Sequence, residues 1–322
     1  MVMHPHTKHP YYAGYWSNPE GTNRVLQRLS DEGHEVEGHV AAKKGGLILG
    51  EETIILPHFL LKAFPEWRWG NQAIGDCVSW ASAHNIDTLM GVEIFLKQEA
   101  EMIVAQCCSE VAYGFMRVEV YGRPDRGGDG AYGGAAADAI VRFGSLHRLP
   151  YLNGKYDFSG YDNSGRTQKG YGRTGVPDEL EPLAALHKCK TTTQVKDFET
   201  AAKMIQNGYA ISNCHSRNPV CSGQRDKDGF ATRDWGASHA MNYVGVRFGK
   251  RPGLLKVNSG WGHHVDGPTY PNDLPKQIAQ CSWWEDVKTC NYVLRDGDSF
   301  AYSNYDGFKA QNLKDYGTES YL

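Results

Sequence analysis

Asn71-Gln72-Ala73-Ile74-Gly75-Asp76-Cys77-Val78-Ser79-Trp80 decides the reading of this chain. Cys77 begins a run in which apolar residues recur at Trp80, Ala81, Ile86, Leu89, Met90, Ile94 and Phe95. That spacing predicts a long helix over 76–105, with Asp76 as its N-cap. A thiol in a helix's first turn meets unpaired N–H groups and a partial positive charge, and both favour thiolate. Two distant stretches supply what such a thiol needs. Ser238-His239-Ala240-Met241-Asn242 opens a strand predicted over 240–248, and Leu255-Lys256-Val257-Asn258 closes one over 253–258. Gly249-Lys250-Arg251-Pro252-Gly253 joins them as a hairpin turn, and adjacent antiparallel strands can bring the Asn258 amide to the His239 ring.

Each residue then has a chemical role to fill. An imidazolium at His239 stabilises the Cys77 thiolate, and Asn258 holds the ring at the working angle. The Cys77 N–H and the Gln72 side-chain amide are candidate oxyanion donors. Trp261 can cover the His–Asn pair and exclude water. Plain structural readings stand beside these. Free cysteines are often buried for packing alone. Gln72 can be an ordinary loop amide, and the glycines at 127–134 can serve only a tight connection. His215, His263 and His264 are alternative bases, although His215 follows Cys214 directly and side chains adjacent on a strand face opposite ways.

These segments, in this order, resemble the papain-like cysteine peptidases. That family carries a Gln ahead of a Gly-x-Cys-x-x-Trp helix start, a His-Ala at a strand start and an Asn-Ser-Trp-Gly. They correspond to Gln72, Cys77 with Trp80, His239 with Ala240, and Asn258-Ser259 with Trp261-Gly262. A glycine-rich loop before a helix, Gly127–Gly134, matches the family's substrate-pairing loop. The resemblance therefore assigns substrate contacts to Gly128, Asp129, Gly130, Ser238 and Trp261. It spans about Trp67 to Gly262 and implies an α+β, two-lobe fold. The helical lobe would cover about 67–150 and the antiparallel sheet or barrel lobe about 205–295, in a body running 51–295. The departures are specific. The family's Gln usually stands six residues before the nucleophile, where this chain has Asn71, and Gly260 is inserted before Trp261. The upstream disulfide cysteine and the long charged helical pro-region are absent, so no self-inhibited secreted zymogen is expected.

The rest of the sequence bounds the partners. Across 322 residues the net charge is −3, with 40% hydrophobic and 22% charged residues, which is ordinary for a folded protein and gives no electrostatic case for nucleic acid. No apolar run is long enough for a membrane helix, and the first ten residues lack a signal-peptide core, so a cytoplasmic or virion-associated location is expected. The eight cysteines are expected as free thiols. Cys214 with Cys221, and Cys281 with Cys290, are nonetheless spaced to close small loops. Neither a cofactor nor a metal is expected, because no CxxC pair, phosphate loop or dinucleotide motif occurs.

Further helices are predicted at 23–31, 109–119, 135–143 and 193–207. Strands are predicted at 46–49, 209–215 and around Trp283-Trp284 and 290–294. Residues 151–177 and 218–236 read as loops. An arm (1–50), with an aromatic cluster at Tyr11–Trp16, and a polar tail (296–322) fall outside the resemblance and suit an assembly partner. The expected function is hydrolysis of peptide bonds in a protein or peptide substrate through a thioester. The same site would be an acyltransferase if an amine replaced water. The rival is a structural or attachment protein, such as a phage virion component, on the same scaffold. A thiol under an open cleft favours the enzyme, and a plugged cleft favours the scaffold.

Overall fold

The computed structural model describes residues 2–3, 10–11, 14–35, 53–97, 105–122, 128–216, 221–233, 238–258, 260–262 and 264–306. β1 (Val2–Met3) pairs antiparallel with β2 (Pro10–Tyr11). Then come α1 (Pro19–Asp31), β3 (Thr53–Ile55), α2 (Pro57–Ala63) and the central helix α3 (Cys77–Lys97). α4 (Ser109–Gly114) runs into a π-helical turn at Phe115–Val120 and is followed by α5 (Gly133–Arg142). A hairpin of β4 (Pro150–Tyr151) and β5 (Tyr156–Asp157) leads to α6 (Arg166–Thr174) and α7 (Glu181–Ala184). The second half holds β6 (Cys189–Gln194), α8 (Phe198–Gln206), β7 (Ile211–His215), β8 (Cys221–Arg225) and β9 (Ala231–Arg233). It ends with β10 (His239–Arg247), β11 (Gly253–Val257), α9 (Lys276–Ala279), β12 (Ser282–Asp286), α10 (Val287–Leu294) and β13 (Phe300–Tyr305).

The architecture is α+β, as the motifs imply. Helices dominate the first half, and the main sheet has the order β12-β11-β10-β7-β13-β6, all antiparallel. β3 pairs with the far half of β10, while β7 pairs with its near half, so β10 is flanked along its whole length. α3 is buried without a break from Cys77 to Glu93. A helix buried on every side, with its polar groups Ser82, Asn85, Asp87 and Thr88 also buried, must lie between layers. Its first turns (Cys77, Val78, Ala81) pack with Val111, Phe115, Ala135 and Ala139 of the helical half. Further along, Ile86, Leu89 and Met90 pack with Ile211, Tyr243 and Val257 of the sheet. Each large side chain so buried contributes about 1.5–3 kcal/mol. The Asn242 amide donates to the Ala81 carbonyl at 2.8 Å and pins β10 to α3. That junction holds the start of the helix beside the start of β10.

Several sequence expectations need correction. The helix expected from 193 starts at Phe198, because Asp197 accepts from the Thr200 N–H at 2.7 Å as N-cap. The β-branched Thr191-Thr192-Thr193 run goes instead into β6. Residues 290–294 are helical, not strand, with Asp286 capping α10 through the Thr289 N–H. The expected loop at 151–177 contains α6 and the β4–β5 hairpin. The sequence predicts a polar tail from 296, yet β13 inserts between β7 and β6, so the sheet runs past residue 295. The arm also joins the body, since Val25 and Leu29 of α1 lie in the core. The strand expected at 46–49 and the last turns of the helix expected to 105 lie outside the described residues. Cys214, Cys281 and Cys290 carry free thiols, so the Cys281–Cys290 loop is open.

Candidate functional site

The site is assembled where α3 begins and β10 begins. His239 Nε2 lies 3.0 Å from Asn258 Oδ1, and both residues are fully buried. Asn258 follows β11 directly and is fixed by its N–H to the Cys281 carbonyl at 3.0 Å. Trp261 packs on the imidazole at 4.9 Å between ring centroids and is itself 0% exposed. The inserted Gly260 therefore leaves the indole over the ring. The backbone N–H groups of Ala240, the residue after His239, and of Gly14 and Val78 lie near enough to the Cys77 thiol to favour its charged form.

Gln72 sits beside this group but is engaged locally. Its amide donates to Ile74 O at 2.9 Å, and its N–H donates to Gly260 O at 2.7 Å. Asn71 forms an antiparallel bridge with Trp261. Residues 71–72 thus pin the 260–262 turn against the helix start. Ser238 is half-buried next to His239. Among the alternative bases, His215 is the cross-strand register partner of His239, and His264 Nδ1 lies 2.9 Å from Gly262 O. His263 lies outside the described residues.

The glycine loop is occupied by the protein itself. Gly130 donates its N–H to the Tyr113 hydroxyl, and Arg117 donates to the Gly130 and Gly128 carbonyls. The Gly75 N–H donates to Asp129 at 3.3 Å. The next residue, Ala131, pairs with the arm. Its N–H donates to Gly14 O and its carbonyl accepts from the Trp16 N–H, each at 2.9 Å, in a parallel bridge centred on Tyr15. Gly130 must be glycine for two reasons. Its φ is +125°, and a Cβ there would come within 2.6 Å of Trp16 Nε1. Gly14 is just as tightly held, since a Cβ would meet Gly75 O at 2.2 Å.

Residues 14–16 thus form a strap over Cys77, which is 1% exposed. Asp298 anchors the strap from behind. It accepts from the N–H groups of Gly133 and Gly134, at the start of α5, and from the Thr22 hydroxyl, each at 2.7 Å. The Tyr15 side chain also hydrogen-bonds to it.

Burial sets the charge state. Desolvation pushes the Cys77 thiol up to about 12, and the Asp76 carboxylate adds to this, while the surrounding N–H groups pull the other way. Desolvation pushes His239 down to about 4, and the Lys256 charge adds to it, against the Asn258 hydrogen bond. At neutral pH this closed arrangement leaves both the Cys77 thiol and the His239 imidazole neutral. The helix N-terminus alone does not offset the loss of water around the sulfur.

Sequence reasoning missed the strap as a site component, although the Tyr11–Trp16 aromatic cluster signalled docking. It also missed Asp298, and no local pattern marks that residue. Among the described residues no group of His, Cys, Asp and Glu is arranged to hold a metal ion.

The chain has the papain-like cysteine protease fold, the class to which the similar solved structures belong. Xylellain, a cysteine protease from Xylella fastidiosa, is similar over 94% of this chain and 99% of its own, with a TM-score of 0.52 and 14% identity. Digestive procathepsin L2 from the larval midgut of Tenebrio molitor is similar over 91% of this chain and 78% of its own, with a TM-score of 0.54 and 11% identity. Procathepsin B S9 from Trypanosoma congolense gives a TM-score of 0.50 at 10% identity over 91% of this chain and 86% of its own. No protein-family model matches the sequence, and no curated protein matches it. Among the described residues no helix is long and apolar enough to cross a membrane.

Proposed function

We propose that this protein is a cysteine peptidase held closed by its own residues 14–16. Cys77 Sγ attacks the scissile carbonyl, and His239 takes the thiol proton and passes it to the leaving amine. The resulting thioester is then hydrolysed by water. Asn258 orients His239, Trp261 keeps water from that pair, and the Cys77 N–H with the Gln72 amide is assigned to the oxyanion. The substrate is a protein or peptide, and Gly128, Asp129, Gly130 and Ser238 are assigned to its backbone. The observation that carries the reading is the buried His239–Asn258 hydrogen bond under Trp261, with the Cys77 thiol against the next peptide N–H. Moving the strap would admit water and a substrate strand to the same edge, removing the desolvation that keeps the pair neutral. Two of the similar structures are pro-forms by name, which fits a closed state.

The scaffold reading, in which the site is kept only as shape within a larger particle, is favoured by one observation, the near-complete burial of Cys77. An epoxide inhibitor of thiol peptidases, with peptide mapping of the adduct, separates the two. Labelling confined to Cys77 and abolished by His239→Ala supports the peptidase. A folded protein that stays unlabelled after the strap is cut away would sink it.

A further inference from the structure

A cavity of about 630 Å³ opens between α1 and α5, beside Gly21, Val25 and Arg28 of α1. Three guanidinium groups line it, those of Arg24 and Arg28 on α1 and of Arg142 on α5, together with Asn18 and the rings of Tyr121 and Tyr132. Two carboxylates oppose them. Asp138, almost wholly buried on α5, pairs with Arg28 and lies 3.7 Å from Arg142. Glu20 sits exposed on the rim. Arg28 also meets Glu32 at 3.3 Å on its outer side. One buried carboxylate is therefore shared by two guanidiniums, while Arg24 and Arg142 stand exposed at the mouth. A guanidinium presents a planar fork of donors suited to phosphate oxygens. Burial holds the Tyr132 hydroxyl in its protonated, donating form, raised to about 12. The cavity is too large for one water and far more polar than a packing defect.

We propose that this cavity is a binding site for a small ligand bearing two or more phosphate groups. Arg24 and Arg142 grip its charges, Arg28 meets it from the floor, and Asn18 and the tyrosine hydroxyls complete the contacts. The ligand bridges α1 to α5, and Asn18 stands two residues after the strap, at the cap of α1. A bound ligand therefore fastens α1 down and slows exposure of the thiol. This second half rests on the reading of Cys77 as a strap-covered nucleophile, whereas the binding half does not.

Inorganic tripolyphosphate is the probe, titrated calorimetrically into the full chain at about 0.15 M salt, where bare surface charge is largely screened. One saturable site, weakened at least about tenfold in the Arg24→Gln/Arg142→Gln double variant, is expected from the loss of two charged contacts. Both side chains are exposed, and circular dichroism checks that the variant remains folded. Absence of saturable binding, or equal affinity in the double variant, overturns the site. For the second half, saturating probe is expected to slow epoxide labelling of Cys77 in the wild type but not in the double variant. An unchanged rate at saturation overturns the coupling. If Cys77 is never labelled, the nucleophile reading and the coupling fall together, and the binding isotherm stands on its own.

Discussion

Single residues set the charge state of the site. His239 is depressed to about 4 by burial, against about 6.5 in an unfolded chain. A group with a lowered folded pKa contributes stability that is fully present above the unfolded value and lost as pH falls through the folded one. Stability tied to a neutral His239 is thus complete above about pH 6.5 and gone below about pH 4. Asp298 and Asp87, raised to about 6 and 7, act in the opposite sense, so the His239 part is read by difference. The urea midpoint of wild type minus that of His239→Phe is expected to shrink as pH falls from 7 to 4. A difference that stays constant contradicts a buried neutral imidazole. Asn258→Ala removes the 3.0 Å bond that orients the ring. Once His239 carries the thiol proton the bond becomes charge-assisted, about 1.5–3 kcal/mol, which implies a fall in kcat/KM of roughly ten- to a hundredfold. Wild-type turnover in that variant would remove Asn258 from the mechanism.

At the scale of elements, the strap covers Cys77 and the helix caps set local stability. Gly14 accepts no side chain, because a Cβ would lie 2.2 Å from Gly75 O. Gly14→Ala is therefore expected to lift the strap and speed epoxide labelling of Cys77, read as the pseudo-first-order rate. An unchanged rate would mean that residues 14–16 do not limit access. Asp197→Ala uncaps α8 and is expected to cost about 1 kcal/mol in chemical denaturation, with labelling unaffected. The caps were partly legible. Asp197 and Asp286 are standard N-cap residues, but the Thr191-Thr192-Thr193 run before one and the Trp283-Trp284 run before the other mask where the helices begin. β13 was illegible for a different reason. Ser303 looks solvent-facing until Thr191 of β6 pairs opposite it and it is buried, and burial by neighbours distant in sequence leaves no local period.

Across the whole molecule, the sheet encloses a buried ion pair that no motif announced. Lys256 and Glu285, both almost fully buried, meet at 3.1 Å, and Glu285 also accepts from the Tyr243 hydroxyl and the Trp283 indole. These residues join β10, β11 and β12 behind the site. Breaking such a pair leaves an uncompensated charge, so Glu285→Gln is expected to destabilise by about 3–5 kcal/mol. The Lys256→Met/Glu285→Leu double variant is expected to recover most of that loss in urea denaturation. Equal damage in single and double variants would mean that packing, not charge, governs the spot.

By itself the sequence determined the start of the long helix at Cys77, the hairpin carrying His239 and Asn258, and the α+β class. Helical period, turn residues and motif order are local properties, written in neighbouring letters. Tertiary structure alone decided that the arm lies over the thiol, that Asp298 ties it down, and that thiol and imidazole rest uncharged. Those outcomes depend on which distant surfaces exclude water from a group, and desolvation belongs to the folded packing rather than to any stretch of chain.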